Sequence, residues 1–191
     1  MKKIFTLATF IIGSALLAQE SETENVQKKP EKLRAISLNI TGSTPTQIGV
    51  SYERMAVFSD KHSLVAHISS GGIILSLGDE EVAGSGFVGE IGIREYFKPN
   101  KFRGFYAATY LSYGNIKFDE PTNWDRNFQG TYSYVSFFSP ELGYKFMLGN
   151  FAIDPFIGAM WKIQIKAKGD MDNNAVDNWA PRIGFKIGYT F

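Results

Sequence analysis

From Leu33 to Phe191, large apolar residues recur at every second position, the period of a strand with two unlike faces. The last segment is the clearest: Ile183, Phe185, Ile187, Tyr189 and Phe191 alternate with Arg182, Gly184, Lys186, Gly188 and Thr190. Residues 151–165 repeat the pattern, with Phe151, Ile153, Ile157, Trp161 and Ile163 on one face and Asp154, Gly158 and Lys162 on the other. Eight such segments are predicted as strands, near 33–41, 46–55, 63–70, 86–97, 104–118, 130–147, 151–167 and 180–191. Their connections alternate in length. Those at 56–62, 98–103 and 148–150 are short, whereas those at 71–85, 119–129 and 168–179 are long and rich in Gly, Asp and Asn. The exception is 42–45, a short member of the long set. An all-β, eight-stranded, antiparallel up-and-down transmembrane β-barrel has this layout, with short turns at one end and long loops at the other.

The apolar face could line a soluble barrel's interior, as in a lipocalin, or meet lipid. Four features favour lipid. The polar face is built largely from small residues, among them Ala35, Ser37, Gly49, Ser51, Gly92, Ala108, Ser112, Gly143, Gly158, Gly184 and Gly188, as the crowded inner wall of a narrow barrel requires. Its charges nearly balance: Glu53, Glu90, Glu141 and Asp154 face Arg94, Lys145, Lys162, Arg182 and Lys186, an expected lumenal ion-pair network. The polar exceptions on the apolar face, Arg34, Arg54, Glu95 and Asn115, fall near strand ends, where a charge costs little. Aromatics also gather at the ends. Tyr52, Phe97, Phe105, Phe146, Phe151, Tyr189 and Phe191 lie near the short turns, and Phe87, Tyr113, Tyr132, Tyr134 and Trp161 toward the long loops, as two interfacial girdles would.

Before the first strand, Met1-Lys2-Lys3 leads into an apolar run from Ile4 to Ala18 and then into Gln19-Glu20-Ser21-Glu22. This is the form of a secretory signal peptide, residues 1–18, and the run is short of the roughly 20 residues of a membrane-spanning helix. An uncleaved anchor is the alternative. Residues 19–32 mix Glu and Lys around Pro30 and have little to bury, so they read as a flexible periplasmic leader ahead of the barrel at 33–191.

Phe191, with Tyr189, Ile187 and Phe185 at alternate positions before it, resembles the terminal signature by which the barrel-assembly machinery takes up outer-membrane proteins. Length and strand number resemble the small OmpA/OmpX-like barrels. Ser51-Tyr52-Glu53-Arg54, Arg94-Glu95-Tyr96-Phe97, Gly104-Phe105-Tyr106 and Glu141-Leu142-Gly143-Tyr144 resemble an uncharacterised branch of these in Gram-negative bacteria. The resemblance spans 33–191 and implies a location in the outer membrane, among lipid and lipopolysaccharide, without implying an activity.

Composition narrows the chemistry further. With 20 basic and 19 acidic residues the formal charge is +1, so nucleic acid is not an expected partner. No cysteine is present, which removes disulfides, thiolate metal sites, cysteine nucleophiles and a lipoprotein anchor. The two histidines, His62 and His67, lack metal-ligand spacing, so no metal or other cofactor is expected. The Gly-rich pieces Ser70-Gly71-Gly72 and Gly84-Ser85-Gly86 precede no helix and read as loop glycines in the second long connection. His67-Ile68-Ser69 with Glu81 resembles the His-x-Ser and later Glu of the eight-stranded lipid A deacylases, which implies a Ser nucleophile activated by His. It departs from them in carrying Ser70 where Asn is usual and in lying on the third strand. Strand parity also turns His67 and Ser69 toward the lumen. The expected role is non-enzymatic: a structural or surface-interaction protein acting through its long loops, with no large pore and an unknown surface ligand. The alternatives are a lipid A acyl hydrolase or a narrow solute channel. An acidic loop rim, with Asp79, Glu80, Glu81, Asp119, Glu120, Asp125, Asp170, Asp172 and Asp177, reads first as a solvated surface.

Overall fold

The computed structural model describes residues 34–72, 75–77, 80–82, 84–99, 102–121, 127–169 and 177–191. The expected signal peptide and leader lie outside these residues, as do Asp79, Asp125, Asp170 and Asp172 of the loop rim. The described residues form eleven strands: β1 (Arg34–Gly42), β2 (Gln47–Met55), β3 (His62–Gly71), β4 (Leu75–Leu77), β5 (Glu80–Val82), β6 (Gly84–Tyr96), β7 (Gly104–Pro121), β8 (Asn127–Phe138), β9 (Pro140–Leu148), β10 (Phe151–Gly169) and β11 (Trp179–Thr190). Strands β8 and β9 are two pieces of one wall position, since both pair with β7 on one side and β10 on the other. The antiparallel order then runs β1, β2, β3, β6, β7, β8/β9, β10, β11, and β11 pairs back onto β1 from Ala35 opposite Thr190 to Gly42 opposite Ile183. The result is a closed eight-stranded up-and-down barrel. Closure gives every wall strand a partner on both sides, which a hydrocarbon surrounding demands.

Strand alternation resolves into an outer and an inner wall. Ile68 is 72% exposed while its neighbour His67 is 1% exposed, and Leu38, Leu142, Ile157 and Ile183 form the same outward belt. An apolar surface running round the whole molecule is the lipid-facing wall of a transmembrane barrel. Arg34, Arg54 and Glu95 are exposed and sit at strand ends beside the short turns. The tightest of these turns leaves only Gly149 and Asn150 between β9 and β10, and Gly149 takes the left-handed φ of 66° that such a turn requires.

Three expectations need correction. The sixth segment, expected as one strand over 130–147, contains a bulge: Tyr110 and Leu111 of β7 face three residues, Phe137, Phe138 and Ser139. The extra residue reverses the inward parity across the bulge, so Tyr132 and Tyr134 point into the lumen, 1% and 0% exposed, and are not part of the outer aromatic girdle. Two adjacent exposed phenylalanines at the bulge conceal the switch, because either register keeps an apolar residue outside. The connection expected as a loop at 71–85 is the second departure. It holds the two-stranded hairpin β4–β5 outside the barrel sheet, with Ser76 opposite Glu81. Strand likewise takes up 119–121 and 127–129 of the connection expected at 119–129, where Asp119 pairs with Gln129, and 168–169 and 179 of the one expected at 168–179. Third, Ser70-Gly71 ends β3 and Gly84-Ser85-Gly86 begins β6, so most of these residues are strand and not loop. They are glycines where walls meet closely: a Cβ on Gly86 would fall 2.0 Å from the Asn115 carbonyl oxygen.

Candidate functional site

The lumen is where the chain concentrates its chemistry, and inward parity on each strand brings the groups there. Near the short-turn end, Arg94 of β6 reaches across the barrel to Asp154 of β10 at 2.7 Å and to Glu53 of β2 at 3.1 Å. Lys145 of β9 meets the same Glu53 oxygen at 2.7 Å, and Ser63 and Tyr96 donate to its other oxygen at 2.6 and 2.9 Å. The Tyr106 hydroxyl donates to Asp154, and the Arg94 guanidinium lies 3.7 Å from the centre of the Tyr106 ring. At mid-height Lys186 of β11 pairs with Glu141 of β9 at 2.7 Å, while Arg94 and Arg182 stand 3.8 and 4.0 Å from the Glu141 carboxylate. Nearer the long loops, Arg182 of β11 grips both oxygens of Glu90 on β6, with Ser112 donating to one at 2.8 Å and His67 Nδ1 3.0 Å from the other.

These groups form one cluster of four carboxylates and four cations, all at most 5% exposed. Zero net charge is the physical requirement, since an unpaired ion in this interior costs several kcal/mol. Two-oxygen capture of Glu90 by Arg182 and the hydroxyl donors add hydrogen bonds, which a buried ion pair needs to offset lost hydration. Aromatic faces fill the space between the tiers. Tyr106 and Tyr134 pack over glycines, and a Cβ on Gly143 would fall 2.2 Å from the Tyr106 oxygen. Side chains therefore fill the bore through this section.

Lys162, expected within the network, stands apart from it. Its ammonium donates to the Thr44 carbonyl at 2.7 Å and forms no ion pair with a carboxylate among the described residues. The reason is position along β10: Lys162 lies eight residues beyond Asp154, above the Glu90 tier and beside Tyr132 and Tyr134. His67 and Ser69 are buried inside the wall at 1% and 3% exposure. The Ser69 hydroxyl and His67 Nε2 have no hydrogen-bond partner among the described residues, and the carboxylate on His67 is Glu90 rather than Glu81, which sits in the β4–β5 hairpin. Sequence reasoning missed Tyr96, Tyr106 and Tyr110, each at most 1% exposed and bonded to the carboxylates. Parity was the available signal, because all three share the even-numbered face of Arg94 and Ser112. Phe185, Ile187, Tyr189 and Phe191 make an unbroken outward row, each between 41% and 48% exposed. Among the described residues no group of three or more His, Asp or Glu could hold a metal ion.

No family model matches the chain, and no curated protein matches it in sequence. Solved structures do match in shape. The N-terminal β-barrel domain of Pseudomonas aeruginosa OprF aligns over 86% of this chain and 100% of its own with 14% identity and a TM-score of 0.50. Ail, the attachment invasion locus protein of Yersinia pestis, aligns over 86% and 100% with 12% identity and a TM-score of 0.47. A major outer membrane protein from Thermus thermophilus aligns over 83% and 99% with 9% identity and a TM-score of 0.46. With the apolar outer belt and the filled ionic lumen, the OprF likeness makes the fold that of the small, OmpA/OmpX-like eight-stranded outer-membrane β-barrels.

Proposed function

We propose that the chain is an outer-membrane protein of a Gram-negative bacterium, a closed barrel that anchors the loop-end extensions of β7, β8 and β10 and the connections beyond the strand ends at 72–83, 122–126 and 170–178 as a surface for interaction, without catalysis and without a large pore. The observation that carries this is the filled bore: eight strands leave room for side chains only, and Arg94, Glu141, Arg182 and their partners occupy it at no more than 5% exposure. Residues 1–18 supply the export signal, and the leader at 19–32 stays on the periplasmic side with the short turns. Phe185, Ile187, Tyr189 and Phe191 present the outward row that the assembly machinery would take up. Lipopolysaccharide is the lipid that the loop end would face. The acyl hydrolase is disfavoured, since its acyl substrate lies outside the wall while His67 and Ser69 point inward, and Ser69 lacks a base within reach among the described residues. Liposome swelling in arabinose tests the closed bore. Vesicles carrying the protein should swell no faster than protein-free vesicles, and swelling at the rate of a general porin would overturn the proposal.

A further inference from the structure

Arg34 and Arg54 face each other across β1 and β2 on the outer wall, at the rim beside the short turns. Arg34 exchanges both backbone hydrogen bonds with Phe191, at 3.1 and 2.9 Å, on its other side. Arg34 and Arg54 are therefore a non-hydrogen-bonded pair, the arrangement in which cross-strand side chains stand closest, with Cα atoms about 4.5 Å apart. Like charges so placed repel. Neither guanidinium has an ion-pair or hydrogen-bond partner among the described residues, in contrast to every lumenal cation. Two residues further along the same outward faces, about 6.6 Å away by strand rise, Ile36 begins a shallow apolar groove of about 260 Å³. Leu38, Val50, Ile187, Tyr189 and Phe151 continue it, the last two in edge-on ring contact at 5.7 Å.

We propose that this paired-arginine rim and the groove above it form a binding site for one glycerophospholipid of the periplasmic leaflet, its phosphodiester held between Arg34 and Arg54 and an acyl chain lying along Ile36 and Leu38. The inference rests on the membrane placement given above. The phosphate supplies the counter-charge that the pair lacks among the described residues, and guanidiniums bind its oxygens in a planar, two-pronged geometry. The apolar slot runs toward the middle of the outer belt, the direction in which an acyl chain leaves its headgroup.

The full-length mature protein, folded in neutral detergent and checked for heat-dependent gel mobility, can be titrated with phosphatidylglycerol and followed by native mass spectrometry. One lipid should bind preferentially. Diacylglycerol, which lacks the phosphate, and glycerol 3-phosphate, which lacks the chains, should each bind far more weakly. Arg34→Gln with Arg54→Gln should weaken the phosphatidylglycerol adduct about thirty-fold, whereas Lys98→Gln with Arg103→Gln, which removes the same charge from a neighbouring turn, should leave it unchanged. Equal adducts in wild type and the Arg34/Arg54 variant, an equal loss in the Lys98/Arg103 variant, or glycerol 3-phosphate binding as tightly as the lipid would each overturn the site. A protein that shows the gel shift without the adduct refutes the site alone. A protein without the gel shift refutes the membrane reading on which it rests.

Discussion

Arg94→Met should destabilise the folded barrel by about 3–5 kcal/mol, because it removes one partner of a buried ionic cluster and leaves charge behind. Among the described residues Arg94 is the only cation hydrogen-bonded to Asp154, whose other bond comes from the Tyr106 hydroxyl. Glu53 keeps Lys145, Ser63 and Tyr96. The loss therefore falls mainly on Asp154, and Asp154→Leu in the same chain should restore part of it by removing the stranded carboxylate. Lys186→Leu should cost less than Arg94→Met, since Arg94 and Arg182 remain within 4.0 Å of the Glu141 that it strands. Urea unfolding in phosphatidylcholine vesicles, followed by tryptophan fluorescence, measures all three. A loss below about 1 kcal/mol for Arg94→Met, the scale of a solvated ion pair, would mean that water reaches the cluster and screens it.

Ile68→Arg should destabilise the protein in a bilayer by about 2–4 kcal/mol, the cost of a cation on the lipid face near mid-membrane. Ile68 is the test position because it is 72% exposed yet sits between Val50 of β2 and Gly89 of β6, well inside the strands. In water an arginine there would be harmless. The chain's own outward arginines, Arg34 and Arg54, occur only at the rim, where the same group costs roughly 0–1 kcal/mol. An unchanged unfolding midpoint in vesicles for Ile68→Arg would place this face in water.

Period-two alternation made the wall legible in the sequence, because lipid and lumen impose opposite demands on successive residues. It assigned His67 to the inside and Ile68 to the outside, and both face that way. It failed at Phe137-Phe138, where two consecutive apolar residues satisfy either register and no local signal marks the bulge that turns Tyr132 and Tyr134 inward. Pairing across the bore was illegible for a different reason. Parity reports that Arg94 and Asp154 face the lumen, while their meeting depends on barrel closure, which brings residues 60 positions apart within 2.7 Å. Lys162 shares the inward face of Asp154 yet misses the cluster, because the sequence does not show its height along the axis relative to Glu90 and Glu141.

A closed barrel in the outer membrane is tested by electrophoresis of boiled and unboiled outer-membrane fractions, which reads closure and location together. The unboiled protein is expected in the membrane fraction, resistant to SDS and migrating faster than the boiled chain. Recovery in the soluble fraction without detergent, with the same mobility before and after boiling, would contradict it.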